Sequence, residues 1–195
     1  RTAKIVSERL TALGIEHHAG IGRTGIVAVV RGRSEASGRA VGLRADMDAL
    51  PMQEENEFAH KSRYDGRMHG CGHDGHTTML LAAARYLAET RSFAGTVNLI
   101  FQPGEEGFAG AREMIEDGLF ERFPCDVIYG MHNHPGKPVR TFHFRSGPFM
   151  SASDRVTRST SRSFSLDPLK FVLPVQLVVV TTSVLPSHRP RFLPI

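Results

Sequence analysis

The chain has 195 residues, 41% of them hydrophobic and 23% charged, enough apolar material for one ordinary domain with a real core. Its net charge of +4 sits at one end: residues 155–195 hold six Lys+Arg against one Asp+Glu, while residues 1–154 are close to neutral, so the body offers no basic stripe for nucleic acid. No run of about 18 apolar residues argues for a membrane helix, and two cysteines make no disulfide framework and suit a reducing, cytoplasmic compartment.

In chain order, Ile5, Val6, Leu10 and Leu13 recur at helical spacing over residues 1–13, with Gly14 as the stop. IVAVV (26–30) and AVGLRAD (40–46) read as strands joined by the turn GRSEASG. A long polar stretch runs from Met52 to Gly75, and Ala, Leu and Met then predict a helix over 76–89. GTVNLIFQ (95–102) is a strand ended by Pro103 and Gly104. AGAREMIEDG (109–118) is a helix stopped at Gly118, DVIYGM (126–131) a short buried strand, and VRTFHFR (139–145) an alternating edge strand. Strands alternating with helices predict a three-layer αβα domain with a mostly parallel sheet. Near Asp154 the pattern breaks. Residues 155–195 form a basic, proline-containing tail with neither clean helical nor clean strand organisation.

In open α/β sheets, reactive groups gather beyond the carboxyl ends of the strands. Three polar clusters fall there: Asp46 and Asp48 after one strand, Glu105 and Glu106 after Pro103-Gly104, and His132 and His134 after another. A fourth, HGCGHDGH (69–76), leads into a helix and can approach the same rim. Thiolate, imidazole and carboxylate together suit Zn²⁺, Mn²⁺, Co²⁺ or Ni²⁺. The single glycine in Cys71-Gly72-His73 lets a tight loop aim sulfur and imidazole at one centre. Two metals sharing a thiolate would suit hydrolysis of an acyl bond, with paired glutamates dividing metal binding from proton transfer. Each cluster also has a plain structural reading. Acidic residues favour helix N-termini, DMDALP suits a cap or turn, and strand-end histidines are often merely hydrogen-bonded. Only their joint occurrence favours a site. His17, His18, His60, His143 and His188 lack partner patterns and read as structural or solvated.

GLRADMDALPMQEEN, MHGCGHDGHTTMLLAAARYL, GTVNLIFQPGEEG and YGMHNHPG together resemble the M20 metallopeptidases, most closely the subgroup of hippurate hydrolases and N-acyl-amino-acid amidohydrolases, over roughly residues 1–154. The resemblance implies a catalytic α/β domain holding two divalent metal ions, with Cys71, His73, Glu106 and His132 as ligands and Cys71 as a bridging thiolate. It implies Glu105 as the general base for the attacking water and then the acid for the leaving amine, and Asp48 as an aspartate that orients a metal ligand. Asp74 and His76 fall in the motif as outer residues or helix-start residues. The implied substrate is a small N-acyl or N-aroyl amino acid, with neither nucleic acid nor membrane as partner.

Departures accompany the likeness. His134 stands where the subgroup usually has an aromatic, and the usual entry segment is not found before Arg1. The lid domain that mediates oligomerisation in intact members, and the final metal-ligating histidine, are not recognisable in residues 155–195. The abrupt change after SASD reads as a frameshift or truncation, testable in the other two reading frames. A chain stopping there would lack one ligand and its lid, and is expected to be impaired. The alternative kept open is a catalytically inactive metal-binding remnant or interaction module.

Overall fold

The protein is described by a computed structural model, which covers residues 1–34, 36–134, 136, 138, 141–143, 177–178 and 180–183. The elements are α1 (Thr2–Ala12), β1 (His17–Ile21), β2 (Gly25–Arg31), β3 (Ala40–Asp46), α2 (His73–Thr90), β4 (Thr96–Gln102), α3 (Gly110–Glu116), α4 (Leu119–Arg122), β5 (Val127–Gly130), β6 (Phe142–His143), β7 (Leu177–Val178) and β8 (Val180–Ser183).

Alternation along two strands builds both faces of the sheet. Ile26, Ala28 and Val30 of β2, with Val97, Leu99 and Phe101 of β4, point into a core shared with Val6 and Leu10 of α1 and Leu80 and Ala84 of α2. Val27 and Ile100 point the other way, toward Met114 of α3, Leu119 of α4 and Phe123. Helices therefore cover both faces, the expected three-layer α/β arrangement.

The strand order is β1-β2-β4-β3-β5-β8, with β6 and β7 forming a separate two-stranded pair. Within the six-stranded sheet, parallel pairing is confined to β3 with β4 and β3 with β5; the separate β6–β7 pair is parallel too. The pairs β1–β2, β2–β4 and β5–β8 are antiparallel. The sheet is thus mixed, which corrects the expectation of a mostly parallel one. The connection between β1 and β2 is only three residues long, too short for the crossover that parallel neighbours need. β4 also lies between β2 and β3, so the turn at 32–38 joins strands that are not neighbours.

Ahead of the tail, two elements, β1 and α4, had no sequence signal. The HHAGI of β1 buries fully only Ile21 and is held by its register on β2 rather than by its own composition. The expected edge strand over 139–145 is described only at residues 141–143, where Phe142–His143 pairs with Leu177–Val178. In the tail, Val180–Ser183 pairs along β5, a strand where none was expected; β-branched Val and Thr suit an extended backbone. Residues 155–176, 179 and 184–195, and with them most of the predicted tail, lie outside the described residues. Among the described residues, no helix is long and apolar enough to cross a membrane.

Candidate metal centre

Because β3, β4 and β5 run parallel, their carboxyl ends open on one rim, and the segments that follow them meet there. Asp46 ends β3 directly opposite Gln102, which ends β4. Arg44, two residues earlier on the same face, ties the two ends: Nε donates to Gln102 Oε1 at 2.8 Å and Nη1 to Asp46 Oδ2 at 2.8 Å.

The loop from HGCGHDGH arrives at the rim through α2. This helix begins at His73, three residues before the predicted start, so His73 and His76 lie one turn apart on its inner face. They are 0% and 1% exposed. Gly72 sits before the helix in the left-handed region, at φ 85.

His73 is held through one nitrogen and presents the other. Its Nδ1 lies 3.0 Å from the Asp48 carbonyl oxygen, to which it donates, and 3.3 Å from Asp48 Oδ1. Its Nε2 is buried without a hydrogen-bond partner. Around that nitrogen stand Asp46 Oδ2 at 3.5 Å, Glu105 Oε2 at 3.9 Å and Glu106 Oε1 at 3.9 Å. His132 repeats the arrangement: Nδ1 donates to the Asn133 carbonyl oxygen at 2.6 Å, and Nε2 faces Cys71 Sγ at 3.3 Å. Metal-ligating histidines commonly fix one ring nitrogen on a carbonyl or carboxylate in this way.

Two donor groups result, Cys71/His73/His132 and His73/Glu105/Glu106, each with its ligand atoms within 4.8 Å of one another. They share His73. A third group, Asp46/His73/His76, meets the same spacing, but Asp46 Oδ1 and His76 Nδ1 are already bonded to each other at 2.6 Å. The first two groups contain all four of the predicted ligands, Cys71, His73, Glu106 and His132, and also Glu105. Asp48 lies behind His73 and, through Oδ2, accepts the Glu106 backbone N–H at 2.9 Å.

The electrostatics follow the geometry. Burial alone would lower the His73 imidazole, but Asp48, Cys71 and Asp46 outweigh it and push it up to about 10. Burial would raise Asp46, yet its bond to His76 and the charge of Arg44 hold it at about 2. For Asp48, the His73 bond and backbone N–H groups likewise overcome burial and lower the carboxyl. Glu105 is raised, by burial first and then by the Glu106 carboxylate. Burial lowers His132. Acidic groups thus crowd one buried point that binds a proton strongly, the environment in which a divalent cation competes well. The unpartnered Nε2 of His73 and the thiol-imidazole-carboxylate donor set fit such a cation.

The remaining sequence candidates divide. Asp74 is exposed and accepts bonds from Gly75 and Thr78 on its own helix; His134 is exposed at the surface. His76 is a buried outer residue between Asp46 and Asn133. Arg44, Gln102 and Asn133 had not been singled out. The pairing of Arg44 with Asp46 had a visible cue in their two-residue spacing on one strand; Asn133 had none.

The sequence profile of "Peptidase family M20/M25/M40" matches residues 42–187. The chain is 50% identical over 154 residues to hippurate hydrolase of Campylobacter jejuni, covering 78% of this chain and 39% of that protein. It is 43% identical over 134 residues to N-acetylcysteine deacetylase of Bacillus subtilis, covering 68% and 34%. Among solved structures it resembles the Bacillus subtilis YXEP protein, described as a dinuclear metal-binding peptidase of the M20 family, with a TM-score of 0.66 and 41% identity over 71% of this chain and 38% of that one. The chain therefore spans about two fifths or less of the length of these relatives.

Proposed function

Since the chain belongs to peptidase family M20/M25/M40, we propose that it is the metal-binding part of a hydrolase that cleaves the amide bond of N-acyl amino acids. The observation that carries this reading is the paired presentation of His73 and His132. Each fixes Nδ1 on a backbone carbonyl and turns Nε2 toward the Cys71, Glu105 and Glu106 donors. Relatives named hippurate hydrolase, N-acetylcysteine deacetylase and IAA-amino acid hydrolase support an acylated amino acid as the substrate class.

In this reading Cys71, His73, Glu106 and His132 hold two divalent ions of the Mn, Zn, Co or Ni kind. Such ions supply Lewis acidity to the scissile carbonyl and to the attacking water. The chain's own residues do the rest. Asp48 keeps His73 in the tautomer that presents Nε2, and its bond to the Glu106 N–H sets the turn carrying both glutamates. Glu105, whose proton affinity is raised by burial and by Glu106, takes a proton from the water and returns it to the leaving amine nitrogen. Free Cys71 and Cys125 suit a reducing cytoplasm.

The division at Asp154 into a catalytic segment and a basic tail is proposed with it. Similarity to hippurate hydrolase over 78% of this chain is compatible with such a division, while the family match to residue 187 and the β5–β8 pairing argue against a tail wholly foreign to the fold. Metal analysis of the purified chain, paired with turnover of hippurate and other N-acyl amino acids, tests the function. Two ions and turnover are expected of the hydrolase. One ion without turnover would instead identify an inactive metal-binding remnant.

A further inference from the structure

Asn133 follows a proposed ligand directly, and its contacts join that ligand, His132, to Gly72 and His76 at the start of α2. It is 9% exposed. Its carbonyl oxygen accepts the Nδ1–H of His132 at 2.6 Å, the bond that turns His132 Nε2 toward Cys71 Sγ. Its side-chain Oδ1 lies 2.6 Å and its backbone N 3.1 Å from His76 Nε2, a nitrogen that can donate to the first or accept from the second but not do both. The other nitrogen of His76 donates to Asp46 at 2.6 Å, which anchors the residue to the end of β3. The amide also fills the space beside Gly72: a Cβ there would stand 2.3 Å from Asn133 Oδ1 and 2.6 Å from both Cγ and Nδ2. The turn between Cys71 and His73 is therefore shaped around this side chain.

We propose that Asn133 is a positioning residue that fixes the His132 ring against the Cys71–His73 turn. The inference rests on the metal-site reading above and adds to it a residue that touches neither cation nor substrate. The peptide linking residues 133 and 134 would otherwise be free to rotate after β5, carrying the carbonyl away from His132 Nδ1. The contact to His76 and the wall at Gly72 hold Asn133 in place, so the ring is oriented before any cation arrives. Removing such an outer contact typically weakens metal affinity ~10–100-fold.

The test uses Co²⁺ as the probe, because its d–d bands report coordination geometry and its thiolate charge-transfer band reports the sulfur. Asn133→Leu keeps the branched shape and removes the polar contacts of the side chain. The expected result is a Kd for Co²⁺ raised ~10–100-fold in N133L with altered d–d bands. Far-UV circular dichroism checks folding. If N133L does not fold, Asn133→Ser, whose hydroxyl cannot reach His76, is read in its place. Parental Kd and parental bands in the folded variant overturn the proposal. The metal-site reading is judged separately, by Cys71→Ser: it stands if the parent shows a thiolate band that C71S loses, and it fails, taking this inference with it, if the parent shows none.

Discussion

Asp46→Asn is the perturbation whose size the structure allows to be worked out. Asp46 is 1% exposed, bonded to His76 Nδ1 at 2.6 Å and to Arg44 Nη1 at 2.8 Å. Both partners are donors, so an Asn amide, with one donating end, must face one of them badly. The carboxyl is held at about 2 against an ordinary 3.8. Nearly two units at about 1.4 kcal/mol each make the charged form worth about 2.5 kcal/mol to the folded state. Because the folded value is depressed, this contribution is complete above the ordinary value and is lost as pH falls toward about 2. His73 runs the other way: its raised value stabilises below about 6.5, and the effect fades as pH rises through about 10. Metal-free protein at pH 5–6 therefore carries both contributions. With a urea slope of about 1–3 kcal/mol/M, the midpoint should fall by about 0.8–2.5 M in D46N. The chain has no Trp, so far-UV circular dichroism is the natural probe. A midpoint within about 0.3 M of the parent at pH 6, or a difference that does not shrink by pH 3, would refute the reasoning.

Other outcomes are expected on the same grounds. Cys71→Ser should strip bound metal while leaving the apo fold intact, read by elemental analysis and circular dichroism together. Glu105→Gln should retain the metal and lower any amide hydrolysis by about 10²–10⁴-fold. Because His73 holds its proton up to about pH 10, metal uptake at neutral pH should release a proton from His73 as well as the one the Cys71 thiol gives up on becoming a ligand, and should tighten with rising pH; calorimetry in buffers of different ionisation enthalpy measures this. Gly110→Ala should disturb metal binding from a distance, since a Cβ there would meet the Pro103 carbonyl oxygen at 1.7 Å and push on the turn that carries Glu105 and Glu106.

The parts of this molecule legible in the sequence are those where one strong local pattern dictates the outcome. β4 shows it best: seven residues with every position from Val97 to Gln102 buried form a run that no other element could hide. The meeting of the proposed ligands was legible for a related reason, since Cys, His and paired Glu placed after strands leave few structural roles for all of them at once. What stayed hidden depends on pairing between distant segments. β1 exists because β2 offers it an edge. The sheet is mixed because a three-residue connection reverses the chain, and periodicity carries no record of direction. Asn133 gives no signal alone; its role arises when Gly72 and His76, some sixty positions earlier, come to lie beside it.

β5 has only four residues, none of them fully buried, and it joins β3 through four register positions. His132 comes two residues after it, whereas Glu105 and Glu106 follow the deeply buried β4 and His73 opens an 18-residue helix. The proposed coordination sphere would thus rest on supports of unequal endurance, and it is expected to open first where the shortest one frays. Escape of a cation would begin with the His132 imidazole swinging outward, while the carboxylates and His73 keep their grip. Amide exchange along Val127–Gly130 should consequently set the tempo at which the centre lets go.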